Sequence, residues 1–396
     1  MTEIEELDVL TSPKKDIGYV FEVDLDYPDA LHDSHSDYPL APEALSITYD
    51  MLSPYNQELH TLFNLPQTTK KLVSHLLPRK HYICHQKNLQ FYLQHGLVLT
   101  KIHKAISFTQ KAWLKPFIDF NTNKRQQVST PFEKDMFKLA NNSIYGKSLE
   151  NVRKHSSIKL TTTLRQTRKL LAKPHVIFFN SLTSNLGLFK LHRLKVNLNK
   201  PVYLGFAVLD FAKLSMFEYH YNYMVPKYGD KCKLLMSDTD SYIYLIFTDD
   251  VYSDMYDSRE LFDTSNYPPT HSLFSEHNKQ VPGKMKDEMA SEPISRFVGL
   301  KSKMYALEVA GKVKKVGKGV QKRVLKNNIT INNYLKCLRE RQRYSFTSTH
   351  IRSYNQLMHT IEQKKVCLSS FDDKRFFFPC GLRSVPYGHY LTRNPV

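Results

Sequence analysis

The stretch KCKLLMSDTDSYIYLIF, residues 231–247, decides how the rest of the chain is interpreted. Its two apolar runs flank the polar segment SDTDS, which predicts a β-hairpin with a polar tip. Asp238 and Asp240 lie at this tip, and residues i and i+2 of an extended chain point to the same side. Because Mg²⁺ and Mn²⁺ prefer carboxylate oxygens, the hairpin predicts a metal site. The alternative is a solvated turn, since Asp, Thr and Ser all favour turns.

A second pattern predicts a helix that begins after Thr130 and continues to about Val152. Thr130 is a capping residue, Pro131 occupies the first helical position, and Glu133 stands where it completes a capping box. Helical spacing of apolar residues follows. This is the clearest helix start in the chain.

The predicted helix carries a polar stripe, because four polar side chains follow at spacings of four, four and three residues. These residues are Lys134, Lys138, Asn142 and Tyr145. The apolar side, expected to pack, consists of Phe132, Met136, Leu139, Ala140 and Ile144. Lysines one turn apart repel each other unless an anion lies between them, and a triphosphate is a suitable anion. Tyr145 beside Gly146 offers a flat ring where a base pair can approach. An ordinary solvated helix face is the alternative.

A third pattern lies between Val298 and Leu307, where Lys301, Lys303 and Tyr305 alternate with less polar residues. The alternation predicts one strand with two cations and a ring on the same face, suited to a sugar-phosphate backbone. The basic segment 311–326, which has no acidic residue, extends this surface. Its cations include Lys318, Lys322 and Arg323. A solvated edge strand is the competing interpretation.

The remaining patterns predict a mixed α+β protein. Residues 18–28 alternate between apolar and polar, which indicates a half-buried strand that ends at Pro28. We expect a mixture of helices and strands over 51–125, strands in parts of 155–200, and a buried helix over 201–223.

Composition limits the class of protein. The 396 residues carry a net charge of +18, which favours a polyanionic partner such as DNA or RNA, although the chain could be merely basic. The five cysteines form no C-x-x-C pair and are typical of reduced thiols. The acidic start Met1–Glu6 is unlike a signal peptide, and no apolar run has bilayer length. We therefore expect an intracellular, soluble protein without membrane contact.

The motifs resemble those of family B DNA polymerases. KLANNSIYG at 138–146 is similar to their K-x-x-x-N-S-x-Y-G motif, SDTDS at 237–241 to their D-T-D-S motif, and KMY at 303–305 to their K-x-Y motif. The three motifs come in the family's order. Blocks such as GYVFEVDLDYPDALHDSHSDYPLAPE resemble the protein-primed group carried by viruses and by Polinton or Maverick DNA transposons. The likeness covers nearly the whole chain.

The resemblance implies a role for each matching residue. Asp238 and Asp240 would bind the catalytic Mg²⁺ or Mn²⁺ ions of nucleotidyl transfer. Lys138, with Lys134 as a helper, would bind the incoming dNTP, and Lys303 with Tyr305 would hold the primer terminus. The base-pair pocket would be lined by Asn142, Ser143, Tyr145 and Gly146. Lys124 and Arg125 would assist at the triphosphate. DNA primer-template and a terminal priming protein are the implied partners.

The resemblance also implies a right-hand fold with palm, fingers and thumb. The expected segments are a palm segment at 1–50, an insertion at 51–128 similar to the region that contacts a priming protein, a fingers helix at 129–153, a second insertion at 154–200, palm with the hairpin at 201–310, and a basic, thumb-like region at 311–396.

One family motif is missing from the sequence. Family B polymerases carry a first carboxylate motif, D-x-x-x-L-Y, and DSHSDYP at 33–39 has its spacing but lacks the Leu before Tyr38. In the family the block around Asp33 follows that motif, so we expect the chain to begin just after the missing aspartate, with an incomplete palm and no exonuclease before it. This predicts little synthesis by the chain alone, with DNA or nucleotide affinity retained.

Two rival functions remain at this stage. One is a degenerate polymerase that only binds nucleic acid or nucleotide. The other is a glycosyltransferase that uses Asp238-Thr239-Asp240 as a D-x-D metal site, although such chemistry does not call for a charge of +18.

Overall fold

The computed structural model describes residues 16–354 and 356–393, so the acidic segment Met1–Glu6 lies outside the described residues. The chain forms two compact units. The first comprises the described parts of Met1–Phe137, Ala207–Phe346 and Val366–Val396, and the second comprises Lys138–Phe206 with most of Thr347–Lys365.

The structure is mixed α/β, as the sequence predicts. The strands are β1 (Ile17–Asp26), β2 (Glu43–Thr48), β3 (Thr68–Val73), β4 (Arg79–His85), β5 (Val98–Thr109), β6 (Ser156–Thr161), β7 (Val176–Thr183), β8 (Leu186–His192), β9 (Cys232–Ser237), β10 (Tyr242–Ile246), β11 (Phe262–Asp263), β12 (Met285–Lys286), β13 (Ile294–Lys301), β14 (Met304–Val309), β15 (Lys312–Gly317), β16 (Tyr344–Tyr354), β17 (Leu357–Leu368), β18 (Phe376–Phe377) and β19 (Ser384–Val385). The helices are α1 (Pro54–Phe63), α2 (Gln86–Gln94), α3 (Lys115–Gln127), α4 (Pro131–Ser148), α5 (Leu164–Leu171), α6 (Val202–Glu218), α7 (Val225–Tyr228), α8 (Val251–Tyr256), α9 (Lys322–Asn327) and α10 (Ile331–Arg339).

Strand β1 organises the main core of the first unit. It pairs antiparallel with β4 on one side and with β5 on the other. Phe21, Val23 and Leu25 are at most 1% exposed, which confirms the strand and the buried face predicted from the alternation. Burial of such side chains stabilises the fold by about 1.5–3 kcal/mol each.

The opposite face of β1 holds a buried carboxylate. Asp24 accepts hydrogen bonds from the backbone N–H of His81 at 2.9 Å and pairs with Nε2 of His103 at 2.8 Å. The two imidazole rings stack with centroids 4.0 Å apart. The hydrogen bond from His81, followed by the contacts with His103 and Lys80, holds the pKa of Asp24 well below its ordinary value.

The long helix predicted over 201–223 is present, but it is buried only in part. Helix α6 continues through a π-helical segment, Tyr219–Met224, into α7. Phe217 and Tyr221 pack into the core beside β1, whereas Val202 and Tyr203 are 55% and 73% exposed. The expectation of burial along the whole helix was therefore wrong, since its overall apolarity does not reveal which turns meet the sheet.

Residues 298–307 form a tight hairpin, so the predicted single strand was wrong. β13 ends at Lys301, Ser302 and Lys303 form the turn, and β14 begins at Met304. Lys303 has φ of 60°, in the left-handed region. The register shifts between Gly299 and Lys301, so residues of the same parity face each other on the two strands and the alternation continues through the turn. Period-two spacing therefore hides the turn.

Helix α4 begins as predicted and ends earlier. The backbone N–H of Glu133 donates to the hydroxyl of Thr130 at 3.3 Å, which confirms the cap, and the helix ends at Ser148 rather than near Val152. The expected packing of its apolar side was wrong, because Phe132 is 77% exposed and Leu139 is 68% exposed. The helix lies at the surface, and Ser148 is the buried residue within it.

The second unit contains a three-stranded antiparallel sheet in the order β6-β8-β7, with Phe189 fully buried. This confirms the strands expected within 155–200. No helix among the described residues is long and apolar enough to cross a membrane.

Candidate functional site

The DTDS segment lies at the tip of an antiparallel hairpin, as predicted. Ser237 of β9 pairs with Tyr242 of β10, and the backbone N–H of Asp238 donates to the carbonyl of Ser241 at 2.9 Å. Thr239 has φ of 56°, so the tip turns at this residue. The expectation that Asp238 and Asp240 lie in extended chain was therefore wrong, and the i, i+2 relationship does not apply to them.

Asp238 is paired with the lysine of the KMY motif. Nζ of Lys303 lies 3.1 Å from Oδ1 of Asp238, so the tip of the β9–β10 hairpin meets the turn of the β13–β14 hairpin. The pair is partly exposed. Burial raises the pKa of Tyr305, and the negative charges of Asp238 and Glu288 raise it further. The structure thus brings two of the three motifs into contact.

A further row of cations continues from this contact. The backbone N–H of Lys318 donates to the carbonyl of Lys303 at 3.0 Å, because β15 runs beside β14 and ends next to the turn. Lys322 and Arg323 follow at the start of α9, and these side chains are exposed. The candidate DNA-binding residues of this segment therefore share one edge of the first unit with the hairpin.

The carboxylates at the tip do not make a complete metal site. Asp240 is exposed, and Asp238 is occupied by Lys303. Within 16–354 and 356–393, no group of three or more His, Cys, Asp and Glu side chains is placed to hold a metal ion. Two carboxylates can contribute to Mg²⁺ binding, but a pair of catalytic ions needs more oxygen ligands than this tip provides. We therefore assign no reaction step to a bound metal.

In the segment 33–39, Asp37 and not Asp33 lies beside the β9–β10 hairpin, although Asp33 has the spacing of the missing carboxylate motif. The hydroxyl of Tyr390 donates to Asp33 at 2.9 Å, and His389 lies 3.4 Å from the same carboxylate. Asp37 instead accepts a hydrogen bond from the backbone N–H of Leu234 in β9, at 3.2 Å. Asp37 therefore contacts β9 four residues before Asp238, and among the described residues these two carboxylates do not belong to a group of three or more possible metal ligands.

A cavity of about 640 Å³ adjoins this part of the first unit, and sequence reasoning did not find it. Ser237 and Tyr305 line it from the two hairpins. Its charged lining residues are four cations and two carboxylates, namely Lys301, Lys374, Arg375, Arg383, Asp37 and Asp372. Burial lowers the pKa of Lys301 and raises the pKa of Asp372. The lysine pattern at 301–305 was the signal that pointed toward this region.

The KLANNSIYG motif at 138–146 lies on α4, together with Lys134. Lys134 is half-buried and belongs to the first unit, whereas Lys138, Asn142, Ser143, Tyr145 and Gly146 belong to the second. Lys138, Asn142 and Ser143 are exposed, and a β-carbon added at Gly146 would meet no atom within 4 Å. The surface beside Gly146 is therefore open. Lys124 and Arg125 lie in the last turn of α3.

The chain was compared with protein families, curated proteins and solved structures. No protein family model matches the chain, and no curated protein matches it. Among solved structures, the chain is similar to Phi29 DNA polymerase complexed with primer-template DNA and incoming nucleotide substrates, with 15% sequence identity and a TM-score of 0.42. The similarity covers 89% of this chain and 58% of that protein.

Proposed function

We propose that this protein is a primer-template binding, polymerase-type nucleotidyltransferase core of the family B, protein-primed kind. The observation that carries the proposal is the 3.1 Å ion pair between Lys303 and Asp238, which joins the KMY and DTDS motifs across the fold. Two motifs of one family that also meet in space support a common site more strongly than either motif alone. The net charge of +18 fits a polyanionic substrate.

In this proposal the cations beside the tip bind the primer strand. Lys303, Lys318, Lys322 and Arg323 form an exposed edge, and phosphate contacts from such side chains position a duplex without reading its sequence. The neighbouring cavity, with its excess of cations, takes the sugar-phosphate at the primer end. Tyr305, which lines the same cavity, would support the terminal sugar with its ring.

The helix α4 is proposed to bind the incoming dNTP. Lys134 and Lys138 would hold the triphosphate, and the open surface at Gly146 beside Tyr145 would receive the nascent base pair. The same proposal includes the palm, fingers and thumb assignments. It also includes the insertions at 51–128 and 154–200, with a terminal priming protein as the partner of the insertion at 51–128.

The catalytic step is proposed to need a carboxylate beyond those at the tip. Asp238 and Asp240 would hold Mg²⁺ or Mn²⁺ only together with that further ligand, because the described residues provide no third acidic group there. This observation favours the second candidate function for the chain by itself: a polymerase-derived protein that binds DNA and nucleotide without synthesis.

Two assays on the purified chain separate these functions. We expect fluorescence anisotropy to detect binding of a labelled primer-template, and primer extension with Mg²⁺ or Mn²⁺ to give little or no product. Extension that disappears in Asp240→Ala but persists in the control Asp249→Ala, also an exposed aspartate, would refute the inactivity. Absence of DNA binding at low salt would refute the proposed function itself. Tighter metal-dependent binding of a sugar nucleotide than of dNTP would instead support a glycosyltransferase.

A further inference from the structure

Helix α3 and the turn before it expose a row of aromatic rings. Trp113, Phe117 and Phe120 are 63%, 45% and 57% exposed. Trp113 lies just before the helix, and the steps of four and three residues that follow place the rings along one side. Large aromatic side chains exposed together on one helix side are uncommon on a protein surface without a binding role.

The segment that carries these rings is rich in cations. Residues 111–125 contain Lys111, Lys115, Lys124 and Arg125 against the single acid Asp119, which pairs with Lys115. Nζ of Lys124 lies 5.9 Å from the centre of the Phe120 ring. A row of rings with an excess of positive charge complements a ligand that has both flat faces and regular negative charge.

We propose that this aromatic row, Trp113, Phe117 and Phe120, is a stacking platform for single-stranded DNA. Unpaired bases stack on exposed rings whatever their sequence, and the neighbouring lysines neutralise the phosphates between them. Duplex DNA does not offer this contact, since its base faces are already covered by neighbouring base pairs. A protein partner explains the rings but not the surplus of cations. The platform goes beyond the proposed function and does not depend on the chemistry of Asp238 and Asp240.

The chain supplies its own probe, because Trp113 is its single tryptophan. With excitation selective for tryptophan, titration with oligo(dT) quenches Trp113 fluorescence to saturation as bases stack on the ring. An abasic oligonucleotide of the same length, which keeps the phosphates and lacks the bases, leaves the fluorescence nearly unchanged. Equal quenching by the abasic strand, or no quenching by oligo(dT) at low salt, overturns the proposal.

Substitutions on the platform distinguish stacking from general attraction. Phe117→Leu and Phe120→Leu keep an apolar side chain without a ring, and each weakens oligo(dT) binding by about tenfold. The matched control is Phe247→Leu, at a ring that is 60% exposed on another element. Unchanged affinity in both platform variants overturns the proposal. So does a Trp113 spectral shift that grows with protein concentration in the absence of DNA, because a second copy of the chain then covers the rings.

Failure of the platform is distinguishable from failure of the proposed function. Lys303→Met weakens primer-template binding and leaves the quenching of Trp113 by oligo(dT) intact. Loss of quenching in this variant would mean that both ligands occupy one surface, and would overturn a separate platform.

Discussion

The ammonium group of Lys303 neutralises Asp238 at a distance of 3.1 Å, so the cation expected to hold a primer and the carboxylate expected to hold a metal are occupied by each other. Asp238 therefore competes with the DNA phosphate for Lys303, and Lys303 competes with the metal ion for Asp238. A change at one residue should therefore be felt in the binding function of the other.

The first prediction concerns this competition. Asp238→Asn should raise the affinity for primer-template DNA about threefold in the presence of a chelator, because Lys303 becomes available to a phosphate. Lys303→Met should lower it by a similar factor. Both changes should alter the free energy of unfolding by less than about 1 kcal/mol, since the pair is partly exposed. Anisotropy and urea denaturation measure the two effects, and weaker DNA binding by Asp238→Asn would contradict the prediction.

The second prediction concerns the exposed cations after β15. Lys318→Ala and Lys322→Ala should each reduce the slope of log K against log salt concentration by about 0.9 for duplex DNA, because each removes one phosphate contact. Lys195→Ala, also at an exposed lysine, should leave the slope unchanged. An identical slope in all three variants would place the duplex elsewhere on the protein.

The third prediction concerns acid stability. Burial lowers the pKa of His35 and of His220 from 6.5 to about 4. Between pH 6.5 and pH 4 the unfolded chain binds protons that the folded chain does not. The contribution of each histidine to the free energy of unfolding should therefore be fully present above pH 6.5. It should decrease as the pH falls toward 4, by on the order of 3 kcal/mol for each residue.

His220→Gln tests the origin of this acid sensitivity. Nδ1 of His220 lies 2.9 Å from the hydroxyl of Tyr244, and glutamine can keep a hydrogen bond there without titrating. Compared with the unaltered chain, the variant should lose less stability between pH 6.5 and pH 4 in urea denaturation series. An unchanged pH dependence would show that other groups control acid unfolding.

The fourth prediction compares two glycines with positive φ. Gly381 has φ of 68° and Gly311 has φ of 73°, so alanine is strained at both. A β-carbon at Gly381 would lie 2.5 Å from Cζ of Tyr55, whereas one at Gly311 would meet no atom within 4 Å. Arg341 covers the Tyr55 ring at 4.7 Å, which restricts its movement.

Gly381→Ala should therefore destabilise the protein by about 1–3 kcal/mol more than Gly311→Ala does. Thermal or urea unfolding of the two variants measures the difference directly. Equal losses would mean that the Tyr55 ring moves aside at no cost.

The sequence predicted elements whose signals are local. The alternation in β1, the cap at Thr130 and the apolar runs of β9 and β10 each depend on neighbouring residues, and the structure confirms all of these elements. The turn at Lys303 escaped prediction because the register shift between Gly299 and Lys301 keeps the apolar residues alternating through the hairpin. The exposure of Phe132 escaped it because an apolar helix side does not reveal whether another element covers it.

The candidate site was less predictable than the fold. Its motif residues could be selected by spacing, but the contact of Lys303 with Asp238 depends on how two hairpins separated in sequence meet. The cavity lined by Arg375 and Lys301 is assembled from distant segments, and no local pattern announces it. Asp37 reaches β9 although Asp33 has the more suggestive spacing, because side-chain direction is set by the folded loop.

The exposure of Asp240 has a consequence for inheritance. An aspartate that projects from a hairpin tip, outside the buried core, contributes little to folding, so its replacement leaves a protein that still folds. In the proposed function, replacement of Asp240 would remove a metal ligand and leave the fold and the DNA-binding cations in place. Selection for the proposed binding and selection for the proposed chemistry would then act separately on descendants of the same sequence.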